Sequence, residues 1–63
     1  MNKPKFKIGD KVQLTEDALE TYGQHLAGIQ RTVRRITMTE DKYLYHFFEI
    51  GPTYWEYDLE DTL

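Results

Sequence analysis

Seven of the chain's nine aromatic side chains fall in one stretch, YLYHFFEIGPTYWEY, residues 43–57. Each ring can bury roughly 150–250 Å², so this stretch can supply most of a small core, and the fold must be organised around it. The need is acute. A chain of 63 residues buries only about 60% of the surface exposed when unfolded. Cysteine is absent, so neither disulfides nor a thiolate zinc site can supplement the core, and nothing points to an oxidising compartment.

If Gly51-Pro52 is the two-residue tip of a hairpin, Ile50 pairs with Thr53, Phe48 with Trp55 and His46 with Tyr57. Paired residues share a face. Leu44, His46, Phe48, Ile50, Trp55 and Tyr57 then make one face, while Tyr43, Tyr45, Phe47, Glu49, Tyr54 and Glu56 make the other. The first set is expected to be the core and the second to look outward. Pro52 has no N–H and restricts Gly51, so a longer loop is the alternative; symmetric pairing across it keeps the same two faces.

Upstream, KFKIGDKVQL alternates apolar and polar residues through Phe6, Ile8, Val12 and Leu14, the period of half-buried strands. Gly9-Asp10 interrupts it with turn chemistry, leaving a first strand around residues 11–14. TEDALETYG changes period: Thr15 can cap a helix, Glu16 and Asp17 suit its positive end, and Gly23 can stop it. A helix of one to two turns would put Ala18, Leu19 and Tyr22 on one face. GQHLAG reads as a loop.

IQRTVRRITM has strand composition, marked by Ile29, Thr32, Val33 and Ile36, but Val33 and Ile36 are an odd number apart. A bulge at Arg34-Arg35 repairs the register. TEDK, residues 39–42, is the next turn, and DLEDTL reads as a short strand or helical turn in which Leu59 and Leu63 can plug a barrel end. Five short strands and one short helix in the first long loop predict a single all-β domain over residues 1–63, a small barrel.

FKIGDKVQL, followed by AGIQRTVRRI and an aromatic hairpin, resembles the SH3-like small barrels that open with a Phe-x-x-Gly-Asp-x-Val strand, among them KOW-type domains and small bacterial and phage proteins. The resemblance covers residues 6–36 and implies the barrel fold. KOW domains usually keep a tighter glycine spacing and a basic surface, whereas this chain inserts TEDALETYGQHLAG and carries a net charge of −3. It also lacks the Ala-Leu-Tyr-Asp-Tyr box of peptide-binding SH3 domains.

Catalysis finds little support. Serine is absent along with cysteine, which removes the two commonest nucleophiles. His25 lies in the glycine-bounded loop and reads as a surface residue, and His46 reads as a core histidine. His46 and Glu49, three apart on a strand, point to opposite faces and cannot chelate one ion; no carboxylate spacing matches a calcium loop and no glycine-rich phosphate loop exists. No catalytic residue, metal or cofactor is expected.

Three binding readings follow. The first is a protein-interaction module using the hairpin face of Tyr43, Tyr45, Phe47 and Tyr54 rimmed by Glu49 and Glu56, with a protein partner or a second copy of the chain as occupant. The second is nucleic-acid binding through Lys3, Lys5, Lys7, Lys11, Arg31, Arg34 and Arg35. Its basis is an asymmetry: residues 1–35 carry seven Lys/Arg against four Asp/Glu, and residues 36–63 one against seven. The third is a phage-encoded inhibitor that blocks a host protein with its acidic half. MNKPKFKIGD has no apolar leader segment and no stretch approaches a membrane span, so a cytoplasmic location is the expectation.

Overall fold

Val12 and Leu14 are buried while Lys11 is exposed, the alternation of a strand with one face on a core. This is β1, Lys11–Leu14, the first strand in a computed structural model that describes residues 3–62. Helix α1, Glu16–Tyr22, follows at once because Thr15 caps it: its Oγ1 accepts the Ala18 N–H at 3.1 Å. Glu16 and Asp17 occupy the positive first turn. Seven residues are too few for a helix to persist alone in water; burial of Ala18 and Leu19 against the sheet holds it. A short 3-10 helix, Gln24–Leu26, occupies the glycine-bounded loop.

Strands β2 (Arg31–Thr39) and β3 (Lys42–Phe47) form the long hairpin, closed by Glu40 and Asp41. The register slips between Val33 and Arg35, so the bulge lies where the alternation breaks. After a connection over residues 48–53 come β4 (Tyr54–Trp55), a 3-10 helix (Glu56–Asp58) and β5 (Leu59–Asp61). All pairings are antiparallel, in the order β4-β3-β2-β1-β5. The outermost strands are thus joined by three residues. Laid flat, the edges of five strands would be about 19 Å apart, whereas three 3-10 residues advance about 6 Å. The sheet therefore curls on itself, and its concave side holds the core of Phe6, Val12, Leu14, Ala18, Leu19, Val33, Tyr45, Tyr54 and Leu59.

The aromatic stretch is inverted relative to the sequence expectation. Tyr45 and Tyr54 are 0% and 3% exposed, whereas Phe48, Ile50 and Tyr57 are 62%, 105% and 66% exposed. The two faces are sorted as the pleat requires, since Leu44 pairs with Trp55 and Tyr45 with Tyr54; the tip is the longer connection, not Gly51-Pro52 alone. What differs is which face turns inward. Val33, fully buried, pairs with Phe47, and Ile36 pairs with Tyr45, so β2's apolar side fixes the tyrosine side of β3 as the interior. The phenol is tolerated there because it is satisfied: Tyr45 Oη accepts the Phe6 N–H at 3.2 Å and donates to Glu56 Oε2 at 2.8 Å. Ring packing completes the interior, with Phe6 edge-on to Tyr45 at 5.6 Å and Tyr22 edge-on to Tyr54 at 5.1 Å.

Smaller corrections have similar causes. Ile8 is 64% exposed because residues 7–10 form a turn, with Gly9 at φ +96° and the Asp10 N–H on the Lys7 carbonyl at 3.0 Å. Ile29 precedes β2 and is exposed. Leu59 is buried as expected, and Leu63 lies outside the described residues. Among the described residues, no helix is long and apolar enough to cross a membrane.

Candidate functional site

The expected contact surface does not survive the inversion. Tyr45 and Tyr54 are enclosed, Tyr43 and Phe47 are half-buried against the core, and both rim carboxylates are engaged. Glu56 accepts from the Tyr45 hydroxyl and from the Lys5 N–H. Glu49 accepts the Thr32 N–H at 2.8 Å and the Thr32 hydroxyl at 2.9 Å; these bonds, the backbone one foremost, hold its carboxyl below the usual carboxylate range.

The side of β2, β3 and β4 turned away from the core offers a different set. Arg35 stands opposite His46, Thr37 opposite Leu44, and Leu44 opposite Trp55. Lys42 Nζ lies 5.5 Å from the centre of the Trp55 ring, a cation–π distance. Thr37 Oγ1 and His46 Nε2 are 3.1 Å apart. Phe48, just past the end of β3, is tied to β2 by its N–H on the Thr32 carbonyl at 3.0 Å. Leu44, His46 and Trp55 are half-buried, and Arg34, Arg35, Lys42 and Phe48 are exposed.

The bulge matters to this face. In a regular strand Arg34 and Arg35 would point to opposite sides. With one extra residue in β2, Arg35 opposes His46 and Arg34 sits unpaired beside it, exposed like its neighbour. Partial burial and the positive charges of Arg35 and Arg34 hold the His46 imidazole below its ordinary pKa, in keeping with both guanidinium groups lying near it. The expectation of a core histidine is corrected accordingly: His46 is on the open face. His25 is exposed in the Gln24–Leu26 turn, as expected.

The basic set is divided. Arg34 and Arg35 are on the open face. Lys3, Lys5 and Lys7 are exposed on the N-terminal arm, and Lys11 is exposed at the start of β1. Arg31 is a correction: it is 7% exposed, its guanidinium lies 5.2 Å from the Tyr54 ring centre, and its Nη1 is buried without a hydrogen-bond partner.

A cleft of about 480 Å³ opens elsewhere, between the arm, the β2–β3 tip and the β4–β5 link. Its lining mixes Lys3, Lys5 and Lys42 with Asp41, Glu56 and Glu60, so it offers no charge of one sign. No cluster of three or more His, Asp or Glu that could hold a metal ion occurs among the described residues. The open face was legible in the sequence only as the set Leu44, His46, Phe48 and Trp55; its cations were not assigned to it, because a bulge sets their direction. No family model, curated protein or solved structure matches the chain.

Proposed function

We propose that the chain is a non-enzymatic binding module, an SH3-like small barrel whose open face across β2, β3 and β4 holds single-stranded nucleic acid. The observation that carries this reading is the pairing of Arg34 and Arg35 with exposed or half-exposed rings, Phe48, His46 and Trp55, on one uncovered sheet face. Guanidinium groups neutralise phosphates and aromatic rings stack on bases without regard to sequence. Glu49 and Glu56 are hydrogen-bonded within the protein, Glu49 to Thr32 and Glu56 to Tyr45 and Lys5, but the donors are uncharged groups, so both carboxylates oppose a polyanion. The net charge of −3 sets a weak, salt-sensitive affinity.

Fluorescence anisotropy with a labelled single strand tests it. Binding is expected at low salt, is lost with Arg34→Glu/Arg35→Glu, and is unchanged within about twofold by Lys3→Gln. Binding indifferent to the double charge reversal, or no binding at low salt, overturns the reading.

A second reading has its own support. Ile50 is fully exposed and Phe48 largely so, an apolar loop of the kind that anchors a protein partner or a second copy of the chain. Phe48→Ser/Ile50→Ser would then abolish partner capture, or dissociate a dimer in sedimentation, while the arginine reversals would not.

A further inference from the structure

We infer that the β2 bulge builds a phosphate-recognition cluster from Arg34, Arg35 and His46, and that His46 takes up a proton from solvent when a phosphate group binds there. The inference rests on the open face being the contact surface, and adds to it a ligand group and a pH response.

The geometry carries the first half. Arg35 pairs with His46 and Arg34 is the extra residue next to that pair; both arginines are exposed and the charges of both reach the imidazole, so two guanidinium groups and an imidazole lie within one residue spacing of each other along the hairpin. Arginine presents forked donors suited to phosphate oxygens. The acidic tip Glu40-Asp41 is five positions along the hairpin from the Arg35–His46 pair, about 17 Å at strand rise, beyond a Debye length at physiological salt.

The surroundings of His46 carry the second half. Its charged neighbours are Arg34 and Arg35 on β2 and, further along its own strand, Lys42 beside Trp55. On its other side β4 is Tyr54–Trp55, with no charge. Glu49, the nearest carboxylate along the chain, is bound to Thr32. In the free protein these cations oppose an imidazolium. A bound phosphate neutralises them and adds a negative charge beside the ring, so the protonated form becomes favourable. The existing hydrogen bond offers no resistance: the Thr37 hydroxyl can donate to the neutral ring or accept from the protonated one.

The test follows the His46 imidazole through a pH titration by NMR, with His25 as internal reference. The protein is measured alone, with an oligothymidylate of roughly 12 nucleotides, and with inorganic tripolyphosphate. His46 is expected to titrate at higher pH with either ligand saturating, and each unit of movement gives about a tenfold gain in affinity on acidification. His46→Gln is expected to bind with that pH dependence lost, and Arg34→Ala to abolish the movement. A His46 midpoint that neither ligand moves overturns the cluster, as does His46→Gln retaining the full pH dependence. If tripolyphosphate moves His46 and the oligonucleotide does not bind, the cluster stands as a site for free phosphates and the nucleic-acid reading falls. If the oligonucleotide binds with His46 unmoved, the reading stands and the cluster falls.

Discussion

The hydroxyl of Tyr45 donates to Glu56 Oε2 at 2.8 Å while accepting from the Phe6 N–H at 3.2 Å, so one phenol ties the N-terminal arm, β3 and the β4–β5 link together. Burial, with the Glu56 bond adding to it, pushes this phenol up to about 12 from an ordinary 10.0. A raised phenol stabilises the fold fully below its unfolded pKa and loses that contribution as pH rises through the folded one. The unfolding free energy from urea titrations is therefore expected to fall between pH 10 and pH 12, by an amount on the order of 3 kcal/mol. Tyr45→Phe should lack this alkaline component and cost about 1–3 kcal/mol at neutral pH, because Phe6 N–H and Glu56 lose a partner. An alkaline decline of the same size in Tyr45→Phe would contradict the assignment.

Inversion of the aromatic faces gives a direct contrast between neighbours. Tyr54→Ala should cost about 3–5 kcal/mol, as for other buried aromatics, enough to unfold a domain of this size. Trp55→Ala removes a half-buried ring and the Lys42 contact, and is expected to cost about 1 kcal/mol while abolishing oligonucleotide binding. Thermal melts of the two variants rank them; the reverse order would place the core on the other face.

Arg31 is the buried cation without a satisfied Nη1. Arg31→Met keeps a long stem over Tyr54 and removes a donor that folding strips of water, so stability is expected to rise by about 1 kcal/mol. Oligonucleotide affinity should not change, since the residue is enclosed. Chemical denaturation and anisotropy on the same variant check both statements.

Thr15 caps α1 through its side chain. Thr15→Ala should lower stability by about 1 kcal/mol and Thr15→Ser should restore most of it. Equal losses in both variants would remove the capping explanation.

Glu40 adopts φ +56° at the β2–β3 tip, a conformation that side chains with a Cβ resist. Glu40→Asn is expected to stabilise by about 0.5 kcal/mol, read as a shift in denaturation midpoint. A loss would mean that the glutamate has contacts that offset its backbone cost.

Local signals made β1, α1 and the bulge readable from the chain. Val12 and Leu14 alternate with polar neighbours, Thr15 and Gly23 mark the helix ends, and the odd spacing of Val33 and Ile36 marks the extra residue. The two faces of the aromatic hairpin were legible for the same reason, because pleating alone sorts them. Which face is interior was not. Hydropathy favours Phe48, Ile50 and Trp55, but the choice is made by β2 and by Phe6, a residue distant in the chain that packs on Tyr45. A phenol with two partners outcompetes a more apolar ring that has nothing to pack against. The same nonlocal decision moved the candidate surface from the tyrosines to the arginines, and it enclosed Arg31 while leaving Arg34 and Arg35 outside.

The extra residue in β2 has a hereditary consequence. With Arg34 removed, Val33, Arg35 and Ile36 would alternate regularly against β3, and the interior would keep every side chain it has. A single in-frame codon thus separates a strand with one arginine on its outer side from a strand with two, so this surface could be gained or lost among descendants without the hydrophobic interior having to change.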